Sequence, residues 1–576
     1  MIEMKKTLLA MVAAVATCVL MTAAPAKPGR LVHVQRDGST VTLVMRGGEM
    51  HRSMETMDGL KVAMDTRGDY CYTVAGSLSD VPAHDKGHRG IEEMAFIAAY
   101  RDQMATDAAP QRAPRRGEND NPQVPTMGSP RIPIILVNYS DLCFKSENPV
   151  ATFQNQFNEM DKSCLHYFES QSRGVFSPQF DILGPVDLPQ TRAFYGDNVR
   201  KYGTEVDEQI GTMIYDACTG LNDVDFSNYD NDGDGYVDVV VVLYAGVGEA
   251  QAWYSVPECI WPCQWDMQET YEWGCSTIGP FQLDGVTIDR YAVFNELEGP
   301  YDTTDQIDGI GTFCHEFGHC LGLPDFYPTN GGNYYGMNTW DIMDDGCYQD
   351  NGHTPVGYTS YERHFMGWMD LIEPVENTRY TLSPLNTDAG NAVKVTNDAN
   401  PDEYYLLEYR TRTGWDSYIA TEGIMILHVD YDKSAWDNNT PNNSWNHPRM
   451  TIIPADNVLS SSTNRFDLWP QEGRTALTDE STPAAEVYTG GFMHKPITVM
   501  TISEDQSTAS FGYMLKAPTP GDANQDGEVN IADVNTVIDA ILSGTHDANT
   551  VWYCDINHDG EVTIADVSMI IDIILS

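Results

Sequence analysis

The stretch His315-Glu316-Phe317-Gly318-His319 places two imidazoles four residues apart. On a helix that spacing puts both on one face, where they can hold a single cation. Glu316, one position past the first His, is placed to act as a general base rather than as a ligand. Gly322 can end the helix and turn the chain, which gives Asp325 a route to the third ligand position. Two nitrogens, one carboxylate oxygen and an open fourth position form the ligand set of a catalytic zinc centre. A more distant Glu is the alternative third ligand, and two solvated histidines on a helix are the bland reading. The whole spacing, through Gly322 to Asp325, argues against coincidence.

Three other runs suit a harder cation. Asp230-Asn231-Asp232-Gly233-Asp234-Gly235-Tyr236-Val237-Asp238 has carboxylates at alternate positions and a Gly at the sixth. That pattern wraps oxygen around calcium, with Asp230, Asp232, Asp234 and Asp238 as side-chain ligands and Tyr236 as a carbonyl ligand; an acidic turn is the alternative. The C-terminus carries the same idea twice, 33 positions apart, starting at Asp522 and at Asp555. Asp522, Asn524, Asp526, Glu528, Asn530 and Asp533 are matched by Asp555, Asn557, Asp559, Glu561, Thr563 and Asp566. Each twelve-position loop has Gly at six and Asp at twelve, and each leads into an apolar helix, Val534–Leu542 or Val567–Leu575.

The elements that must position this chemistry are legible as patterns. Ile132–Val137 reads as a short buried strand whose Pro133 suggests a sheet edge. Helical patterns follow at Ala151–Ser170 and Val206–Cys218. Asp238–Tyr244 is a β-branched run expected to be buried on both faces. Beyond the His helix, Trp340-Asp341-Ile342-Met343-Asp344 is a tight turn in which Met343 would floor the metal site. Tyr358 and Tyr361 are either oxyanion donors or core tyrosines. From Ile372 to Leu515 short strands alternate with Asn, Asp and Pro loops, the pattern of a β-sandwich; His428 there reads as a strand residue.

At 576 residues the chain is too long for one core, and roughly three to five folded units are expected. Its net charge of −50 would repel nucleic acid and anionic membranes, so neither is an expected partner. Lys5, Lys6 and the apolar run Leu8–Met21, ending at Ala24-Pro25-Ala26, read as an export signal rather than a membrane span. The Thr17-Cys18 pair is a poor lipid-anchor site. Twelve cysteines fit an exported chain with some disulfides, and Cys259, Cys263 and Cys275 could staple one loop. Hairpin patterns between Thr40 and Val74 and a helical pattern at Ile91–Met104 precede a polar stretch with Arg112, Arg115 and Arg116. A folded unit tied by a nickable linker to a hydrolase is the layout of a latency segment. Cys71 within it is either a thiolate cap for the metal or a buried core thiol.

From about Ile132 to Tyr431 the chain resembles the immune-inhibitor-A family of secreted bacterial zinc metallopeptidases. The residues that carry the resemblance are His315–Tyr327, the Asp230–Asp238 run, Tyr167–Gly174, Gly367-Trp368, Tyr404–Arg410, Gly414-Trp415-Asp416 and Gly423–Tyr431. It implies two His and an Asp on Zn2+, a Glu base, a removable prosegment and stabilising Ca2+. Cys314 and Cys320, beside the two histidines, are not part of that motif. The duplicated loops with Asp at twelve resemble a type I dockerin, which implies a cohesin-bearing partner on a scaffold or surface protein.

The expected fold is multidomain: an α/β zinc-metalloprotease catalytic domain, a β-sandwich-like accessory domain and a small α dockerin with two calcium loops. The expected divisions are a signal peptide (1–26), prosegment (27–104), linker (105–123), catalytic domain (124–372), accessory domain (373–515) and dockerin (516–576). The expected function is a secreted endopeptidase acting on extracellular proteins, made as a zymogen and docked through its C-terminus. A degenerate protease-like module for surface assembly is the alternative, and the presence of Glu316 speaks against it.

Overall fold

The β-branched residues before Tyr244 form the strand Val240–Val247, every residue of which is buried, as parallel strands covered on both faces are. The computed structural model describes residues 22–48, 51–74, 76–104, 123–201, 204–252, 258–332, 334–515, 519–544, 548–557 and 560–576. Val240–Val247 lies within a six-stranded sheet ordered Thr22–Ala23, Cys263–Asp266, Arg290–Leu297, Val240–Val247, Arg131–Asn138, Gln179–Asp187. The last four run parallel to their neighbours, while Cys263–Asp266 and Thr22–Ala23 are antiparallel additions. Alternation sends Ile134, Leu136, Val241 and Leu243 into one core and Ile135, Val137, Val240 and Val242 into another.

Arg131–Asn138 is an inner strand, so Pro133 does not mark an edge. Its pairing with Val240–Val247 begins only at Ile134, so the missing N–H of Pro133 falls outside that ladder. The helical pattern at Ala151–Ser170 is broken into Pro149–Gln154, a single wide turn at Asn155–Glu159, and Cys164–Ser172. Ser163 causes the restart, because its side chain accepts from His166 N and caps the second helix. Val206–Cys218 likewise divides into a strand, Thr204–Asp207, and a helix, Ile210–Thr219.

The N-terminal unit is a six-stranded antiparallel meander from Leu31 to Pro82 with the helix Ile91–Met104. Asp65 closes its Lys61–Met64/Tyr70–Val74 hairpin by accepting from Arg67 N and Asp69 N. Val41, Leu43 and Tyr72 of this unit share a core with Val240 and Val293 of the central sheet. Signal residues 1–21 and linker residues 105–122 lie outside the described residues, but Ala23, Ala24 and Ala26 are buried.

Beyond residue 372, two antiparallel sheets, Ala392 to Ile452 (four strands) and Thr378–Leu382 with Ile497–Ile502 and Ala509–Tyr513, enclose a core of their own. Yet Leu406, Met425, Leu427 and Trp436 belong to the same core as Phe313 and Phe317 of the His helix. One core therefore crosses the expected division at 372. The C-terminal module packs Ile531–Ser543 against Ile564–Leu575, and no helix among the described residues is long and apolar enough to cross a membrane.

Candidate metal centre and active site

His315, Glu316 and His319 sit on the buried helix Gly311–Cys320. The helix stops where the sequence predicts. Gly322 takes φ +101, in the left-handed region that a Cβ disfavours, and the chain returns so that Asp325 reaches the two imidazoles. Asp325 Oδ1 lies 3.1 Å from His315 Nε2 and 3.2 Å from His319 Nε2, and the two Nε2 atoms are 3.2 Å apart. His315 Nδ1 lies 2.7 Å from Ile342 O, and His319 Nδ1 lies 2.8 Å from Leu323 O. A carbonyl only accepts, so each Nδ1 carries the proton and each Nε2 presents a lone pair. Two lone pairs and a carboxylate oxygen so close together repel one another unless a cation lies between them. The donor set of two imidazole nitrogens and one carboxylate oxygen fits zinc. The carboxylate that the structure brings to the two imidazoles is Asp325.

Burial pushes the His319 imidazole below its usual range, against the pull of Asp325. Burial alone would raise the Asp325 carboxyl, but the two imidazoles outweigh it and hold that group well below the usual carboxylate range. Glu316 is fully buried beside this cluster.

Met343 lies under the helix, as the turn pattern predicts. A Cβ on Gly318 would meet Met343 Sδ at 2.7 Å and Tyr358 Oη at 3.2 Å, so the glycine between the histidines is the seat for Met343. Residues around Met343 hold both ligand segments, since Ile342 O takes His315 Nδ1 and Met343 O takes Phe326 N. Tyr358 donates to Cys314 O, and Tyr361 packs on Phe326 and Trp436; both are core tyrosines. Tyr327, two residues past Asp325, holds the segment that precedes the N-terminal unit. It donates to Ala23 O at 2.5 Å, while Trp261 Nε1 donates to Ala24 O at 2.9 Å.

Among the hard-cation candidates, Asp230, Asp232 and Asp238 gather their oxygens at one point. Burial, with Asp232 and Asp230 adding to it, pushes the Asp238 carboxyl up to about 6. Asp234 instead accepts from Tyr236 N. The two C-terminal loops repeat one geometry. Asp533 accepts from Asn524 N and Asn530 N, and Asp566 accepts from Asn557 N and Thr563 N. Asp522 and Asp555 each accept from the sixth-position glycine, Gly527 or Gly560. Asn530 and Thr563 use their side-chain oxygens to cap the following helices. Asp526 accepts from Glu528 N, and Asp559 lies outside the described residues.

One cysteine expectation fails, and of the two readings of Cys71 the buried core thiol fits. Cys259 is a buried free thiol, so no staple runs through it. Cys71 has its thiol pushed up to about 11 by burial, with Asp65 and Asp69 adding to it, which makes it a poor source of thiolate.

Fold and sites together define a metallopeptidase-type catalytic domain joined to a duplicated loop-helix module. Residues 136–369 match the Immune inhibitor A peptidase M6 catalytic domain, and residues 520–575 match the Dockerin type I domain. The central region thus matches the peptidase M6 family, whose implied metal is zinc, and the C-terminus matches the type I dockerins, whose implied metal is calcium. Immune inhibitor A of Bacillus thuringiensis subsp. alesti is 26% identical over 296 residues, covering 42% of this chain and 41% of the relative. The pre-pro-metalloprotease PrtV of Vibrio cholerae serotype O1 (strain M66-2) is 26% identical over 249 residues, covering 40% of this chain and 26% of the relative. The chain thus spans less than half the length of these curated relatives.

Proposed function

We propose that this chain is a secreted zinc endopeptidase, made as a zymogen and held to a cohesin-bearing partner by its dockerin. The observation that carries the reading is the convergence of His315, His319 and Asp325, with both Nδ1 protons committed to backbone carbonyls. When bound, zinc supplies Lewis acidity toward the scissile carbonyl. Glu316 takes a proton from the attacking water and returns it to the leaving amine. His315 and His319 are held through the backbone carbonyls described above, so little reorganisation of these groups accompanies the reaction.

Latency is supported by how the N-terminal unit seats on the catalytic sheet, whose core it shares. Thr22–Ala23 pairs antiparallel with the edge strand Cys263–Asp266, and Tyr327 and Trp261 hold successive carbonyls of that segment. This is how an extended peptide adds to a sheet edge, but these residues fall within the expected signal, so an export cut after Ala26 would remove them and the latency of the exported chain rests on the N-terminal unit itself. Arg52 of the N-terminal unit makes a buried ion pair of 2.8 Å with Glu249. In the dockerin, Ile531 and Ile564 stand exposed at matching positions of the two repeats, which supports a partner-binding face.

A zymogram of the chain, cleaved between residues 111 and 117, tests the reading: a clearing band that a chelator abolishes and zinc restores is expected. A cleaved, folded chain that leaves the substrate intact in the presence of zinc would favour the degenerate binding module instead.

A further inference from the structure

Asn439 stands beyond the family match, which ends at residue 369, yet its side chain grips Asp325 at two points. Its Oδ1 accepts from Asp325 N at 2.6 Å, and its Nδ2 donates to Asp325 Oδ2 at 2.5 Å. With Oδ2 held, Oδ1 is the oxygen turned to both Nε2 atoms. Asn439 is itself buried, at 5% exposure, and sits at φ +51, a left-handed conformation that Asn adopts more readily than most residues. Two neighbours extend the grip along the same segment. Asn442 Nδ2 donates to Phe326 O at 2.7 Å, and Asn443 Oδ1 accepts from Asn330 N at 3.2 Å.

We infer that Asn439 is the positioning residue for the third zinc ligand, so that the strand-rich region after residue 372 completes the metal centre. The inference rests on the reading of Asp325 as a zinc ligand. The physical basis is that a carboxylate has two oxygens and free rotation. A ligand fixed through its second oxygen and its own backbone N–H pays no further ordering cost on binding metal. No residue of the His helix performs this task for Asp325 among the contacts described.

The test uses the full chain and zinc itself, with zinc affinity measured by competition against a chromophoric chelator. Asn439→Gly removes the side chain while keeping a residue at ease with φ +51. Asn439→Asp keeps the size and conformational tolerance but turns the donor into a second carboxylate. Both should weaken zinc binding roughly 10- to 100-fold. Asn443→Ala, which loosens the same segment five residues past the ligand, should bind zinc as the wild type does. Melting of the zinc-free chains separates a structural role, which would move stability without moving affinity. Should Asn439→Gly fail to fold, Asn439→Asp decides. Wild-type affinity in the folded Asn439 variants overturns this inference alone, whereas a wild-type chain that takes up no zinc overturns the metal reading and this inference with it.

Discussion

Glu316 and His315 are adjacent in sequence and both buried, but the helix turns their side chains about 100° apart, and that difference assigns their roles. His315 is tied through Nδ1 and aims Nε2 at the cluster, whereas Glu316 is the group proposed to move a proton. Glu316→Ala should therefore keep bound zinc and the fold while proteolysis falls by about 100- to 10,000-fold, read as single-turnover cleavage beside metal content. Retained cleavage would show that another group is the base. Gly318 makes a sharper structural point, because a methyl there enters space held by Met343 Sδ at 2.7 Å. Gly318→Ala should cost about 1–3 kcal/mol of stability by overpacking, seen as a lower melting temperature with both histidines still present.

At the scale of elements, what the sequence displays best is what neighbours decide. The His helix, the Gly322 turn, the Lys61–Val74 hairpin and the duplicated loops each depend on spacings of twelve residues or fewer, so side-chain types alone reveal them. Asn439 acts across 114 positions and sits in an Asn-rich loop that looks like any other; nothing local announces it. The break at Ser163 was readable as a cap but was hidden inside a continuous apolar pattern. Another long-range pair has consequences for pH. Asp341 in the Met343 turn and Glu362 in the helix Ser360–Phe365 are buried against each other, and burial pushes the Asp341 carboxyl up to about 7 and raises Glu362 as well. In the unfolded chain both carboxyls titrate near their ordinary values, so the folded state binds the extra proton between about 4 and 7. The stability linked to that proton is present below about pH 4 and is lost as pH rises through about 7. Glu362→Gln should flatten this decline in a series of denaturant midpoints from pH 5 to 8. The dockerin loops carry the opposite problem, with acidic groups gathered in a module too small to hold a large core. Its Ile531–Ser543 and Ile564–Leu575 helices should gain circular dichroism when calcium is added to the isolated segment 516–576 and lose it with chelator. Equal helicity without calcium would mean that the core of Val534, Val537, Val567 and Ile570 suffices.

Across the whole molecule, the N-terminal unit and the catalytic sheet are not separate bodies joined by a string. Val41, Leu43 and Tyr72 pack into the core that lies behind the central strands, and polar contacts tie this unit and the segment before it to the catalytic domain. Lys27 Nζ lies 3.4 Å from Glu298 Oε1, Thr22–Ala23 extends the sheet, and Arg52 pairs with Glu249 while its guanidinium stands 5.1 Å from the ring centre of Trp261. The last contact matters most, because the same Trp261 holds Ala24 O, so one cation couples the docked unit to the segment lying along the edge strand. An export cut after Ala26 would remove that segment and leave the polar ties of Arg52 and Lys27 in place. Removing one partner of a buried ion pair costs about 3–5 kcal/mol, since the other charge stays behind in a dry site. Arg52→Ala should then weaken docking without touching the catalytic residues. Uncut wild-type chain is expected to cleave a casein-like substrate very slowly, and a cut between residues 111 and 117 to release it. Uncut Arg52→Ala should show a basal rate several-fold above uncut wild type, and the two cleaved forms should be equal. An Arg52→Ala chain that is folded and zinc-loaded, yet as silent as wild type before cleavage, would show that the buried ion pair does not maintain latency.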